Sequence, residues 1–403
     1  MHILVVNNLY PPIMAGGAEL IVRNLAEGLV ARGHRVTVVT TCGPEMEPYP
    51  VETIGGVEII RFFPRNIYWS FARSDRPPWQ KALWHLKDSW NHDAGQRMAE
   101  IMADGRPDVM HTHVIDGFSA AIWRRARALG VPVVHTAHDY HLMCPRAFML
   151  DRNWHLCTKP SLQCRAFRHW HLGTTRHLSA LISPSRFLLD QHLAAGLSVP
   201  VTGVVPNGVP LVLVPGAGAL TDDPPVHQFL LAARLTQEKG ILVAIAAMAA
   251  LRDVANIRLT IAGRGPLEAE VRQAAAEDSR IEFVGFISGE HKDRVFQTAT
   301  ALLIPSLWYE NAPVIIVKAA AYGIGVVGSR IGAIPEFIRH GETGLLFEPG
   351  DPAGLAAALR RIATEPALRL RFAGNAPRVV ERFTVGGMVD GYLEQYRAVG
   401  AGA

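Results

Sequence analysis

Lysine is nearly missing from this chain: Lys81, Lys87, Lys159, Lys239, Lys292 and Lys318 are all there are, against 34 arginines. Cysteine is as scarce, with four in 403 residues. That excludes a disulfide-stapled scaffold and suits a reducing cytosol. Neither sign of charge is in large excess (40 Lys+Arg, 36 Asp+Glu, formal charge +4), so a nucleic-acid-type basic surface is not expected. No apolar run is long enough for a membrane span. The longest, Ile241 to Leu251, falls short of the ~20 residues a bilayer needs. Met1 to Asn7 has no basic region and no extended apolar stretch, so a secretory leader is not expected. A cytoplasmic protein is the expectation.

What is present is a folding composition, 49% hydrophobic and 19% charged. The length exceeds the roughly 250–300 residues at which one core stops growing, so two domains are expected. Short β-rich runs alternate with helical patterns, the signature of parallel α/β units. The first unit reads as a strand at 2–6, a Pro-Gly loop, a helix at 18–31 and a strand at 35–40. A strand at 109–111, a helix near 119–129 and a strand at 131–135 follow. A Pro/Gly-rich segment at 205–225 reads as a linker. A second series opens at 229–232, with a helix at 240–251 and strands at 258–262, 281–284, 300–304 and 326–329. The resulting organisation is a first Rossmann-like domain over 1–208, a linker over 209–225 and a second such domain over 226–380. Ligands then belong at the carboxyl ends of the strands, in a cleft where the two doubly wound domains face each other.

Several clusters sit where that architecture puts chemistry. Gly16-Gly17-Ala18-Glu19 opens the first helix, where glycines let backbone N–H groups approach an anion. A plain strand–helix turn explains it equally well, and the spacing is not GxGxxG. Arg234 and Lys239 flank the first strand–helix turn of the second half, two cations suited to a diphosphate. Glu310, Asn311 and Ala312 stand at a helix start, where a carboxylate and free amides can grip hydroxyls or phosphate. His135, His138, Asp139 and His141 follow a first-half strand and suit acid/base work or metal binding. Cys144, Cys157 and Cys164 lie near His169 and His171, but no tight CxxC pair is present, and ordinary thiols are favoured over zinc. Trp79, Leu83, Leu86 and Trp90 share one helical face, with Arg73, Arg76, Lys81 and Lys87 nearby. Core packing is the favoured explanation of that stripe, and docking on a membrane interface is the other.

Taken in order, these motifs resemble the family-4 retaining glycosyltransferases of the GT-B fold. The resemblance rests on Gly16-Gly17-Ala18-Glu19, His138-Asp139-Tyr140 with Cys144-Pro145, Pro206-Asn207-Gly208-Val209 and Ala233-Arg234-Leu235…Glu238-Lys239-Gly240. It continues through Ala262-Gly263-Arg264-Gly265-Pro266, Phe283-Val284-Gly285-Phe286, Pro305-Ser306-Leu307-Trp308-Tyr309-Glu310-Asn311, Gly332-Ala333-Ile334-Pro335-Glu336 and Gly344-Leu345-Leu346. It implies transfer of a sugar from a nucleotide-diphosphate donor to a glycan or polyprenyl-linked acceptor, with retention, no metal and no cofactor. A role in bacterial surface polysaccharide synthesis goes with it. By this resemblance Arg234 and Lys239 hold the diphosphate, and Gly16 and Gly17 close on it from the first domain. Glu310 and the amides of Asn311 and Ala312 hold the donor sugar, the Gly285-Phe286 turn meets the nucleobase, and His138 lies near the anomeric centre or acceptor. Residues 381–403, with a helix near 388–399, resemble the segment that crosses back to the first domain. Peripheral attachment to the inner membrane face, through Trp79, Trp84 and Trp90, is the membrane expectation.

One position departs. The family pairs two glutamates with seven residues between them; here the first is Glu310 and the second position is Lys318. A lysine only donates, so it cannot accept hydrogen bonds from the donor ribose as that carboxylate does. Either Lys318 meets another anionic group of the donor, the nucleotide is held differently, or donor binding is impaired. The last case would make the chain a GT-B-shaped nucleotide-sugar-binding protein without turnover. A sugar phosphorylase or nucleotide-sugar epimerase of the same shape is a third option.

Overall fold

The computed structural model describes residues 1–14, 16–72, 76–151, 153–214, 224–254 and 256–402. Its contacts divide the chain into two units. Unit 1 holds Met1–Ala147, Lys159–Pro210 and Val385–Ala403; unit 2 holds Phe148–Thr158 and Leu211–Thr384. The central part of the linker expected at 209–225, together with Ala15 and Arg73, lies outside the described residues.

Unit 1 runs β1 (His2–Val6), α1 (Ala18–Ala31), β2 (Arg35–Thr41), β3 (Glu52–Ile54), β4 (Val57–Phe62), α2 (Pro78–Ser89), α3 (His92–Gly105) and β5 (Val109–Thr112). It continues through α4 (Ala121–Ala128), β6 (Val133–Thr136), α5 (Leu162–Thr174), β7 (Ala180–Ser183), α6 (Arg186–Ala194) and β8 (Val201–Val204). The sheet order is β3-β4-β2-β1-β5-β6-β7-β8, parallel except for β3 against β4. β5, β6 and β7 are buried along their whole length, and apart from His111 and His135 they consist of apolar and small residues. α1 buries Ile21, Leu25 and Leu29 with Val22 and Ala26, the i, i+4 spacing of one helical stripe.

Unit 2 runs β9 (His227–Ala232), α7 (Ile241–Ala249), β10 (Ile257–Ala262), α8 (Glu268–Glu277), β11 (Ile281–Gly285), α9 (Gly289–Thr298) and β12 (Ala301–Ile304). It continues through α10 (Ile315–Ala321), β13 (Gly325–Ser329), α11 (Ile334–Phe337), β14 (Gly344–Phe347), α12 (Pro352–Thr364) and α13 (Pro366–Glu381). Its sheet, β11-β10-β9-β12-β13-β14, is parallel throughout and has the doubly wound order 3-2-1-4-5-6. Its core centres on Phe229, Leu231, Leu259, Ile261, Leu303 and Val327 from the strands, covered by Ile241, Met248, Leu355 and Leu359.

The last helix, α14 (Val385–Ala398), belongs to unit 1 and packs on α1. Arg32 at the end of α1 makes a two-pronged ion pair with Asp390. Tyr392 and Tyr396 of α14 are buried; their hydroxyls bond Thr136 (2.9 Å) and His111 (2.7 Å). The chain therefore folds as two Rossmann-like α/β units, with the C-terminal helix returned to the first.

Candidate functional site

In unit 2 the sheet order reverses between β10 and β12, on either side of β9. β9 and β12 pair only at Phe229–Ala301 and Leu230–Leu302 and then part, leaving a crevice at their carboxyl ends. A cavity of ≈ 310 Å³ begins at the next residues, Leu231 and Leu303. Among its lining residues are Arg234, Lys239, Ser306, Glu310 and Ala312. Four of the residues singled out from the sequence thus converge, although 78 positions separate the first from the last.

Backbone contacts explain the convergence. Leu235 N–H donates to the Arg264 carbonyl (2.9 Å) and Leu267 N–H to the Leu235 carbonyl (3.0 Å), so the loop after β10 holds the Arg234 loop. Gly240 has φ 69°, and a Cβ there would run into the Pro305 carbonyl. The turn carrying Lys239 therefore lies directly against the exit of β12. Gly332 has φ 59°, and its added Cβ would sit 2.5 Å from the Glu310 nitrogen. Ala333 N–H donates to the Glu310 carbonyl (2.8 Å), so the Gly332–Glu336 motif braces the backbone of Glu310.

The side chains form a network. Lys239 Nζ donates to Glu310 Oε1 at 2.8 Å, and Ser306 Oγ donates to the same oxygen at 2.6 Å. Lys239 also lies 4.9 Å over the buried Trp308 ring, a cation–π contact. Trp308 meets Phe148 edge-on, with ring centres 5.6 Å apart. Glu310 is only 7% exposed, and Lys239 is the cation beside it. Arg234 is exposed; its Nη2 stands 3.7 Å from Glu238 Oε1, and Glu238 is buried and bonded by Thr236 Oγ1 (2.6 Å). Ser306, Trp308 and Glu238 had no assigned role in the sequence reading. Their signal was adjacency to Lys239 and Glu310 in chain and motif.

The remaining second-half candidates lie outside that lining. Gly285 ends β11 with φ 67°, and Phe286 is exposed beneath the Arg264 guanidinium at 5.2 Å. Asn311 is half-buried next to Glu310. Lys318 turns to α9: Nζ lies 3.3 Å from Asp293 Oδ1, which also accepts the Tyr322 hydroxyl at 2.7 Å. Burial, and then the charge of Lys292, push the Lys318 amine down to about 8.

In unit 1, Gly17 is the N-cap of α1, and Gly16 N–H donates to Glu19 Oε2 at 3.0 Å. His138 lies just past β6, and its Nε2 is 2.8 Å from His113 Nδ1, just past β5. Burial lowers His138 to about 4, and burial with the neighbouring His111 lowers His113 well below its usual value. His113 was not singled out from the sequence, although its alternation with His111 at a strand end was a readable cue.

Two first-half expectations are corrected. Trp79 (60%), Leu83 (45%) and Leu86 (72%) are exposed, so that face of α2 is not core. The helix packs instead through Trp84 and Asp88. Trp84, expected at a membrane, is buried and donates its indole N–H to the Tyr68 carbonyl at 3.0 Å. Trp90 is half-buried edge-on to Trp170. The stripe read from spacing is thus one face, but the exposed one, and Trp84 belongs to the packed side of the helix. The cysteines are free thiols, and among the described residues no group of three His, Cys, Asp or Glu is arranged to hold a metal. No described helix is long and apolar enough to cross a membrane.

Two doubly wound units and a switch-point cavity with paired cations and a carboxylate define the GT-B class of glycosyltransferases. Residues 16–208 match the model of the glycosyl transferase 4-like domain, and residues 226–365 that of the glycosyl transferases group 1. The chain belongs to this group 1, family-4 glycosyltransferase family. It is 31% identical over 389 residues to a glycogen synthase of Mycobacterium tuberculosis, covering 93% of this chain and 89% of that protein. It is 29% identical over 343 residues to a 42.6 kDa protein in the cps region of Klebsiella pneumoniae, covering 84% and 88%. Among solved structures, Anabaena Alr3699/HepE in complex with UDP matches with TM-score 0.72 and 18% identity, over 99% of this chain and 100% of that one. The same Anabaena protein has also been solved with UDP-glucose.

Proposed function

We propose that this chain transfers a hexosyl group, with retention and without a metal, from a nucleotide-diphosphate sugar to a glycan or polyprenyl-linked acceptor of a bacterial surface polysaccharide. The observation that carries the reading is the placing of Arg234 and Lys239 with Glu310 around one cavity at the β9/β12 switch point. Negative charge grows on a departing diphosphate, and cations already fixed there stabilise the transition state more than the ground state. The complexes of the Anabaena protein with UDP and UDP-glucose support a uridine donor, and the cps-region relative supports the polysaccharide setting.

In the resting site Lys239 and Glu310 neutralise each other. An arriving diphosphate competes for Lys239 and frees Glu310 to accept sugar hydroxyls beside the amides of Asn311 and Ala312. Because Lys239 and Ser306 both bond Glu310 Oε1, this carboxylate is held as an acceptor rather than as a free nucleophile. That arrangement favours same-face attack over a covalent glycosyl-enzyme. His138 is assigned a contact with the transferred sugar or the acceptor, and Gly16 and Gly17 a contact with the diphosphate. Gly285 and Phe286 are assigned the nucleobase, and Lys318 the nucleoside side of the donor. The exposed apolar face of α2 is assigned to the membrane interface.

The test is incubation with UDP-, GDP- and ADP-sugars and a bacterial lipid extract, with the product linkage read by NMR. Transfer from one donor with the anomer retained is expected. An inverted anomer, or neither binding nor transfer across the donors, would overturn the reading.

A further inference from the structure

Unit 1 carries a cavity that donor binding does not use. It measures ≈ 570 Å³, larger than the ≈ 310 Å³ cavity of unit 2 and within the roughly 300–1,000 Å³ of small-ligand sites. Three stretches line it: 47–49 after β2, 61–65 at the end of β4, and 93–100 in the first turns of α3. β1, β2 and β4 are adjacent and parallel, so the cavity lies at the carboxyl side of the sheet. β4 is two strands from β1, a spacing of about 10 Å.

Hydrogen bonds fix these walls to one another. Glu47 Oε1 accepts the Phe63 N–H at 2.8 Å, joining the first stretch to the second. Arg61 is buried; it donates to the Tyr10 (3.1 Å) and Pro11 (2.6 Å) carbonyls and lies 5.3 Å from the Tyr49 ring centre. Asn91 caps α3 through the Ala94 N–H (3.1 Å) and donates to the Pro64 carbonyl (2.7 Å), joining the second stretch to the third. The cavity is thus preformed, and filling it costs little ordering.

Its lining has a definite chemistry. Tyr49 and Phe63 are half-buried and supply aromatic surface. Around them stand three guanidinium groups (Arg61, Arg65, Arg97) and three carboxylates (Glu47, Asp93, Glu100). Equal numbers of the two leave no net attraction for a phosphate or a metal cation, and either ion meets like charge. Six charged groups also make the cavity a poor host for an acyl chain. A neutral sugar ring matches it. Hydroxyls donate to carboxylates and accept from guanidinium N–H groups, while the C–H face of the ring covers an aromatic side chain. We infer that this cavity is a subsite for a neutral hexose unit of a glycan chain. Its use in transfer, holding an acceptor by a sugar beyond the one that reacts, rests on the proposed function; the binding of a saccharide does not.

The experiment is a titration of the full chain, without donor, with short neutral gluco-, galacto- and manno-oligosaccharides, followed by amide ¹H–¹⁵N NMR shifts. Shifts at Phe63, Ala94 and Arg97 are expected, and inorganic phosphate or glucuronate at equal concentration should give none of that size. Tyr49→Ala should raise the oligosaccharide Kd about fivefold or more, the loss that follows truncation of a central aromatic. Gln96 is exposed and lines the cavity, so Gln96→Trp narrows it and should raise Kd about tenfold or more. In transfer assays Gln96→Trp should raise the acceptor KM more than the donor KM. No shift around the cavity with any of these oligosaccharides, a stronger response to phosphate or glucuronate, or parental affinity in either variant would overturn the inference. Saccharide binding at these amides in a chain that transfers no sugar would sink the proposed function and leave the subsite standing.

Discussion

Lys239 and Glu310 depend on each other for burial. Removing one partner of a buried pair strands the other charge at a cost of about 3 kcal/mol, whereas removing both charges together is far milder. Lys239→Met is therefore expected to lower the melting temperature, and Lys239→Met/Glu310→Gln to recover most of it. Calorimetric titration should find UDP binding weakened about 10- to 100-fold in both, since a charge-assisted contact is gone. Recovery of stability without recovery of binding is the pattern that separates the two roles. Asp88 makes a second residue-scale case. Burial, and then the neighbouring Asp116, raise its carboxyl to about 7, while its Oδ1 accepts the Gly117 N–H at 2.7 Å. The folded state thus holds this proton up to about pH 7, whereas the unfolded chain releases it near the usual 3.8. Its contribution to stability falls as pH rises between those values. Asp88→Asn keeps the acceptor oxygen, so it should stabilise the protein at pH 8 and have little effect at pH 4 by urea titration.

At the scale of elements, two predictions concern how helices begin and what they face. The turn between Lys239 and α7 needs a positive φ at Gly240 and lies against the Pro305 carbonyl. Gly240→Ala should cost at least about 2 kcal/mol, and donor affinity should fall with it because Lys239 moves. A variant of parental stability would show that the turn can relax. On α2, Trp79 and Leu86 are exposed and Trp84 is packed. Trp79→Ser/Leu86→Ser should leave the melting temperature unchanged and weaken co-sedimentation with anionic phospholipid vesicles, whereas Trp84→Ser should lower the melting temperature. Unaltered vesicle binding in the first variant would remove α2 from the membrane assignment.

For the molecule as a whole, stability in acid is expected to follow the buried histidines of unit 1. His111, His113, His135, His138, His171 and His192 all lie there, and burial lowers each of them. A depressed histidine contributes stability above its unfolded value of 6.5 and loses it as pH falls toward the folded value, because the unfolded chain takes up the proton first. The urea midpoint should therefore drop steeply between pH 6.5 and about 3, the window spanned by His138 and His192 (about 4) and by His135 and His171 (about 3). A midpoint that held or rose over that range would mean these rings are not buried in the neutral form.

The local order of strands and helices was legible because period and turn chemistry are local properties: β1, α1 and β12 fall within a residue of their expected ends. The second-half cavity was legible too, since a doubly wound sheet dictates where strand ends open and the motif residues follow those strands directly. The sequence alone also determined that Lys318 breaks the two-glutamate pattern. Other features depended on which groups meet across large separations. Spacing on α2 marked an apolar stripe without telling which face of the helix would be buried. Nothing local joined His113 to His138, 25 positions apart, or tied Lys239 to Glu310, 71 positions apart. Hydrophobic period encodes a face, but partner choice and burial are set by neighbouring strands and helices that arrive from elsewhere in the chain. The contact between His113 and His138, and the pairing of Lys239 with Glu310 in the cavity, are consequences of tertiary packing.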